Sequence, residues 1–148
     1  MNVFELEKLE GQRLPPGTYR IEPDAHTQMT EAIHAGNYNF DSAHPVYAHL
    51  APHCGMGWKI DEFFDFVQFP MDGGALYGEG NLTYHKPIQV GVDYTVNGHI
   101  TSAVRKQGKK TGTFDLVTLH LDLIDAAGDL VVTSIETYVL PRVEIEEQ

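Results

Sequence analysis

Histidine is the side chain that most readily exchanges protons near neutral pH, and five of this chain's eight histidines, His26, His34, His44, His49 and His53, cluster in its first half. Asp41 stands three positions before His44, and a carboxylate so placed can orient an imidazole for acid–base work. Asp41 with His44 is therefore the first candidate for a proton-transfer pair. The plainer alternative is an exposed loop in which Asp41 makes a turn. His49 and His53 stand four apart with Cys54 beside them, a spacing that in a regular helix offers two imidazoles and a thiolate to zinc. Pro52 interrupts such a helix, and no further ligands follow at the usual spacing, so no metal site is assigned.

These residues need elements to hold them. The turn cluster LPPG precedes a short strand at TYRIE, residues 18–22. From Asp24 a helix is expected, with Asp24 as cap and Ala25, Met29, Ala32 and Ile33 on one apolar face, ending near Gly36. Residues 36–51 show no sustained period. Pro52 suits the first turn of a second helix, whose Met56, Ile60, Phe63, Phe64 and Val67 share a face until Pro70. It is the expected buried central helix. After Gly74 come strands, divided at VGVD, KQGKK and DAAGD, with Tyr94, Val96, Gly98 and Ile100 alternating against polar residues. In FDLVTLHLDLI the apolar parity shifts between Leu116 and Val117, which implies a bulge or burial on both faces. The expected architecture is α+β, a curved antiparallel sheet wrapped around the central helix, within one domain over residues 1–148.

Composition narrows the partners. Hydrophobic residues make up 42% and charged residues 21%, as in ordinary globular chains. A formal net charge of −11 with ten Lys and Arg argues against nucleic acid. Cys54 is the one cysteine, so no internal disulfide forms, and the acidic start MNVFELEKLE is unlike a secretory signal. No apolar run approaches the ~20 residues that span a bilayer. A cytoplasmic protein without membrane attachment is expected.

LAPHCGMGW (50–58), GEGNLTYHKPIQVGVDYTVNGHI (78–100) and DAAGDLVVTSIETYVL (125–140) resemble the N-terminal domain of MaoC-like dehydratases, over roughly residues 19–140. TYHKPIQVGVDYTV is similar to that family's strand-entry motif, aromatic-x-[KR]-Pro-[IL]-x-x-Gly-[DE], with Val92 inserted between Gly91 and Asp93. The resemblance implies a hot-dog fold and an (R)-type enoyl-thioester hydratase or 3-hydroxyacyl-thioester dehydratase. It also implies a reactive motif, Gly-Asp-x-Asn-Pro-[IL]-His, ahead of the central helix. One register sets GNYNFDS (36–42) on that motif, keeping Gly36 and Asn39 while Asn37 replaces the Asp and Ser42 the His. A second sets HPVY (44–47) on its end, with Tyr47 as the His equivalent and Ser42 as the Asp equivalent. A neutral amide cannot act as a base near pH 7, so Asn37 could hold a water or a carbonyl but could not deprotonate it.

The expected catalytic set is therefore Asp41, His44, Asn37 and Ser42. Asn39, His53, Cys54 and Gly55 are expected to bind substrate, because backbone N–H groups around Cys54 and Gly55, at the start of the central helix, could meet a thioester oxygen. The alternative for Gly55 is close helix–sheet packing. Arg105 and Lys109, on a basic tip around Gly108, are candidates for the phosphates of coenzyme A or a carrier's pantetheine arm, the alternative being a solvated hairpin. Coenzyme A or carrier thioester would be a substrate, and no resident cofactor is expected. Two other readings stay open. One is a non-catalytic partner subunit of a dehydratase heterodimer. The other is a hot-dog thioesterase using Asp61, Glu62 or Asp65, whose alternative is the solvated face of an amphipathic helix. Pairing with a second hot-dog subunit, as homodimer or heterodimer, is expected throughout.

Overall fold

The computed structural model describes residues 1–36 and 42–142. Its strands are β1 (Gly17–Arg20), β2 (Leu76–Tyr84), β3 (Asp93–Gly108), β4 (Gly112–Ile124) and β5 (Leu130–Pro141). They form one antiparallel sheet in the order β1-β3-β4-β5-β2. The helices are α1 (Val3–Glu7), α2 (Pro23–Ala32), α3 (Tyr47–Gly55) and α4 (Ile60–Phe66). Period-two alternation builds the sheet: on β3 Tyr94, Val96, Gly98 and Ile100 face inward, and on β4 so do Val117, Leu119, Leu121 and Leu123. α3 packs against all five strands. This is the expected α+β hot-dog fold, a curved sheet around a helix.

That central helix is not the one expected. The chain turns helical at Tyr47, five residues before Pro52, and stops at Gly55; a separate α4 follows from Ile60. Pro52 lies inside α3, where it withholds the N–H that the Ala48 carbonyl would otherwise accept. The fit to the sheet is close because Ala48 and Ala51 are small and fully buried. At the carboxyl end, a Cβ on Gly55 would lie 2.7 Å from Tyr19 Cβ and 2.8 Å from Val96 Cγ2. The glycine is there because the sheet leaves no room for a side chain.

The expectation for α2 is corrected as well. α2 starts at Pro23 without a side-chain cap, and it buries His26 and Thr30 while Ala25, Ala32 and Ile33 stay exposed. The polar face is held inside by two contacts: His26 Nε2 accepts the His44 backbone N–H at 3.0 Å, and Thr30 Oγ1 donates to the Thr27 carbonyl at 3.0 Å. Of the two readings of the parity shift at Leu116, the bulge is excluded, since β4 pairs with β5 in unbroken register from Phe114 to Leu123, and burial on both faces holds, since the outer-face residues of β4 are all partly buried. Leu116 is half-buried on the outer face, opposite the buried Asp115 and Val117. The irregularity lies across the ladder in β3, between Ile100 and Ser102. β2 is an edge strand with all nine residues exposed, Leu76, Tyr77, Leu82 and Tyr84 among them. Among the described residues no helix is long and apolar enough to cross a membrane.

Candidate functional site

The amino end of α3 opens on a groove of about 390 Å³ lined by Ser42, Ala43 and Pro45 on one side and Tyr84 to Ile88 on the other. Tyr84 holds the two sides together by donating its hydroxyl to the Pro45 carbonyl. Ala43 N–H bonds to the Ile88 carbonyl at 2.6 Å. A larger groove of about 550 Å³ shares Lys86 and Pro87 and continues past Tyr94 to the β4–β5 turn. The smaller groove is the candidate site because the segment leading into α3 lines it; the larger is lined by residues farther along the sheet. Lys86 sits where they join, its ammonium gripped by Asp125 at 2.5 Å and Asp129 at 2.9 Å.

Of the expected catalytic residues, Ser42 lines the groove, and Asn37 and Asp41 lie outside the described residues, as does Asn39. The pairing of Asp41 with His44 therefore falls outside them too. His44 is tied to the start of the helix: its Nδ1 accepts the Val46 N–H at 3.1 Å, and its backbone N–H donates to His26. Burial, and then His44, hold the His26 imidazole below its ordinary pKa, consistent with its accepting role.

The expected donors at Cys54 and Gly55 are overturned by their place in the helix. Both lie in the last turn of α3, where carbonyls, not amides, are left without intrahelical partners. At the true amino end, the Tyr47, Ala48 and His49 N–H groups already bond to the His44, Pro45 and Val46 carbonyls. Cys54 is exposed, and partial burial pushes its thiol up, away from thiolate. Arg105 is not free for phosphate either: its guanidinium binds buried Asp115 at 2.7 Å and the Met1 carbonyl at 2.8 Å. Lys109 is exposed at the β3–β4 turn. Asp61, Glu62 and Asp65 are exposed on α4, and Glu62 accepts the Lys59 N–H as a cap.

A second polar cluster went unread in the sequence. On β5, Ser134, Glu136 and Tyr138 point inward at alternate positions, and Glu136 is completely buried. His53 Nδ1 lies 3.0 Å from Glu136 Oε2 and His49 Nδ1 3.4 Å from Oε1; the Ser134 and Tyr138 hydroxyls each donate at 3.0 Å. The two imidazoles stack 5.5 Å apart, one helical turn from each other, and Tyr77 of β2 sets its ring edge-on to His49. Burial pushes the Glu136 carboxyl up, but His53, Ser134 and Tyr138 outweigh it and hold the group below its usual range. Burial, and then the Glu136 charge, push the Tyr138 hydroxyl far up. The signal was parity: Glu136 shares a face with Val132 and Leu140, where a carboxylate needs a reason. Among the described residues no group of three His, Cys, Asp or Glu is placed to hold a metal ion.

A helix held in a curved five-stranded sheet, with a groove at its amino end, defines a hot-dog protein. Residues 16–134 match the family described as FAS1-like, dehydratase domain region, and the chain belongs to that family. Among solved structures it is similar to a chain of the ChsH1-ChsH2 complex from Mycobacterium tuberculosis, with TM-score 0.69, 16% identity, and coverage of 96% of this chain and 95% of that one. It is also similar to a chain of the truncated HadBC (3R-hydroxyacyl-ACP dehydratase) complex from the same organism, with TM-score 0.63, 15% identity, and coverage of 88% and 96%. A MaoC-like dehydratase matches with TM-score 0.69 and 21% identity over 94% of this chain and 44% of that one. No curated protein matches.

Proposed function

We propose that the chain adds water reversibly to 2-enoyl thioesters, as an (R)-type hydratase and 3-hydroxyacyl-thioester dehydratase acting in the cytoplasm. The observation that carries this reading is the groove at the amino end of the sheet-wrapped helix. It is concave, mixed in polarity and bordered by Ser42, whose hydroxyl can hold a water or a thioester carbonyl. Family membership supports the reaction class. The thioester carrier is coenzyme A or an acyl carrier, with exposed Lys109 as a candidate phosphate contact. The exposed β2 edge strand offers Leu76, Tyr77 and Leu82 to a second hot-dog chain.

The second reading is a partner subunit that shapes the acyl site while another chain supplies the acid and base. The Asn37 and Ser42 substitutions favour it. Incubating the purified chain with crotonyl-CoA separates the readings, with absorbance of the conjugated thioester and free thiol followed in parallel. Loss of absorbance without thiol is the expected result. Thiol release would mean a thioesterase, and activity only after adding a second hot-dog chain would favour the partner reading.

A further inference from the structure

Ahead of β1, residues 11–14 run antiparallel beside β3 and cover its edge past Val96. Gly11 N–H donates to the Ile100 carbonyl at 2.8 Å, Ile100 N–H to the Gln12 carbonyl at 2.9 Å, and Leu14 N–H to the Gly98 carbonyl at 2.9 Å. Arg13 is thereby set opposite His99, at the position between these bonds. In an antiparallel pair that is where facing side chains come closest, both on one face of the sheet. On the other side of His99 stands its β4 partner His120, with the two rings 4.8 Å apart. Three side chains that are or can become cationic therefore stand in a row across the outer face.

The groups that face His99 are Arg13 from the N-terminal segment and His120 and Asp122 from β4. Asp122 is the carboxylate among them, and it is already engaged: its Oδ1 is 3.0 Å from His120 Nε2 and accepts the Thr133 hydroxyl at 2.8 Å. A proton arriving at His99 places a positive charge directly opposite the Arg13 guanidinium. Like charges facing each other across a ladder are destabilising.

We propose that His99, set between Arg13 and His120, is an acid-sensitive latch whose protonation releases residues 11–14 from β3 and opens the edge of that strand.

Burial first, then His120 and Arg13, hold the His99 imidazole below its ordinary pKa, with Asp122 acting the other way. Release relieves the opposition, because it uncovers the β3 edge and takes Arg13 away. An imidazole held below its unfolded value of ~6.5 contributes stability that is fully present above that value and is lost as pH falls through the folded one. The latch is therefore closed at neutral pH and weakens below about pH 6.5.

The segment holds more than the edge. Leu14 is buried in the core, and at Pro15 the chain meets the loop between α3 and α4 so closely that a Cβ on Gly57 would lie 1.8 Å from the Pro15 carbonyl oxygen. Release thus frees the Gly98 and Ile100 backbone and loosens the seat of the central helix at its carboxyl end. Arg13, His99, His120 and Asp122 line neither groove, so the latch stands whatever the grooves bind.

Amide hydrogen exchange of the full chain at pH 7.5 and 5.5, with each rate referred to the intrinsic rate at that pH, supplies the test. The Gly11, Leu14 and Ile100 amides should be less protected than the β4–β5 ladder, as local release requires. Their protection should fall about 3- to 10-fold at the lower pH, because one pH unit below the unfolded imidazole value is worth at most about 10-fold. In His99→Gln the protection of these amides should be the same at both pH values. Arg13→Gln, at an exposed position, should shrink the drop, and it keeps the test decisive if the His99 variant does not fold. Equal wild-type protection at the two pH values, an undiminished drop in either variant, or three amides as protected as the ladder would overturn the latch.

Discussion

Asp115 offers a measurable consequence of the way the sheet is pinned to its helices. The side chain is completely buried and clamped between two guanidiniums, with Arg105 Nε at 2.7 Å and Arg142 Nε at 2.7 Å. Arg142 also donates to the Val67 and Gln68 carbonyls at the end of α4. Asp115→Ala removes the acceptor and leaves two half-buried cations facing each other. Breaking a buried ion pair from one side costs about 3–5 kcal/mol. At about 2–4 °C per kcal/mol for a domain of this size, Tm should fall by roughly 6–20 °C at neutral pH. The effect should fade in acid. Burial pushes the Asp115 carboxyl up, but the Arg105 and Arg142 contacts outweigh this and hold it below its usual range. A depressed folded pKa contributes stability that is fully present above the unfolded value, ~3.9, and is lost as pH falls through the folded one. The gap between wild type and variant should therefore be constant near neutrality and close below about pH 4. Glu136 is depressed as well, but it is present in both proteins and cancels in the difference. Scanning calorimetry across pH supplies the test. A Tm change under about 2 °C at neutral pH, or a gap that widens in acid, would refute the reasoning.

Gly55→Ala should cost about 1–3 kcal/mol, because its Cβ meets Tyr19 Cβ and Val96 Cγ2 at 2.7 and 2.8 Å and the helix must shift; urea titration reads this. Replacing Leu76 and Leu82 with Lys puts like charges along the exposed β2 edge, and sedimentation should show a shift toward monomer with the circular dichroism spectrum unchanged. An unchanged sedimentation coefficient would contradict the proposed pairing along β2.

The strands were legible because Tyr94 to Ile100 and the three turn clusters announce period two and its interruptions directly. Pro52 misled because proline is common at a helix start, while the true start at Tyr47 has no side-chain cap. The spacing of Met56, Ile60, Phe63 and Val67 runs unbroken across a real break, so periodicity alone joined the end of α3 to α4. The face of α2 was misjudged because His26 and Thr30 are buried through partners that only tertiary structure supplies. The same holds for the site. Glu136 lies 83 positions from His53, and no local pattern pairs a residue of the last strand with one on the central helix. The Asn2–Glu5 capping box of α1 was legible and went unread.

The most direct measurement runs the reaction in the dehydrating direction, with (R)- and (S)-3-hydroxybutyryl-CoA offered separately to the purified chain. Absorbance of the conjugated enoyl thioester should appear from the (R) substrate, with no free thiol. Thiol release, a preference for the (S) substrate, or silence toward both would contradict the proposal of an (R)-type hydratase and dehydratase.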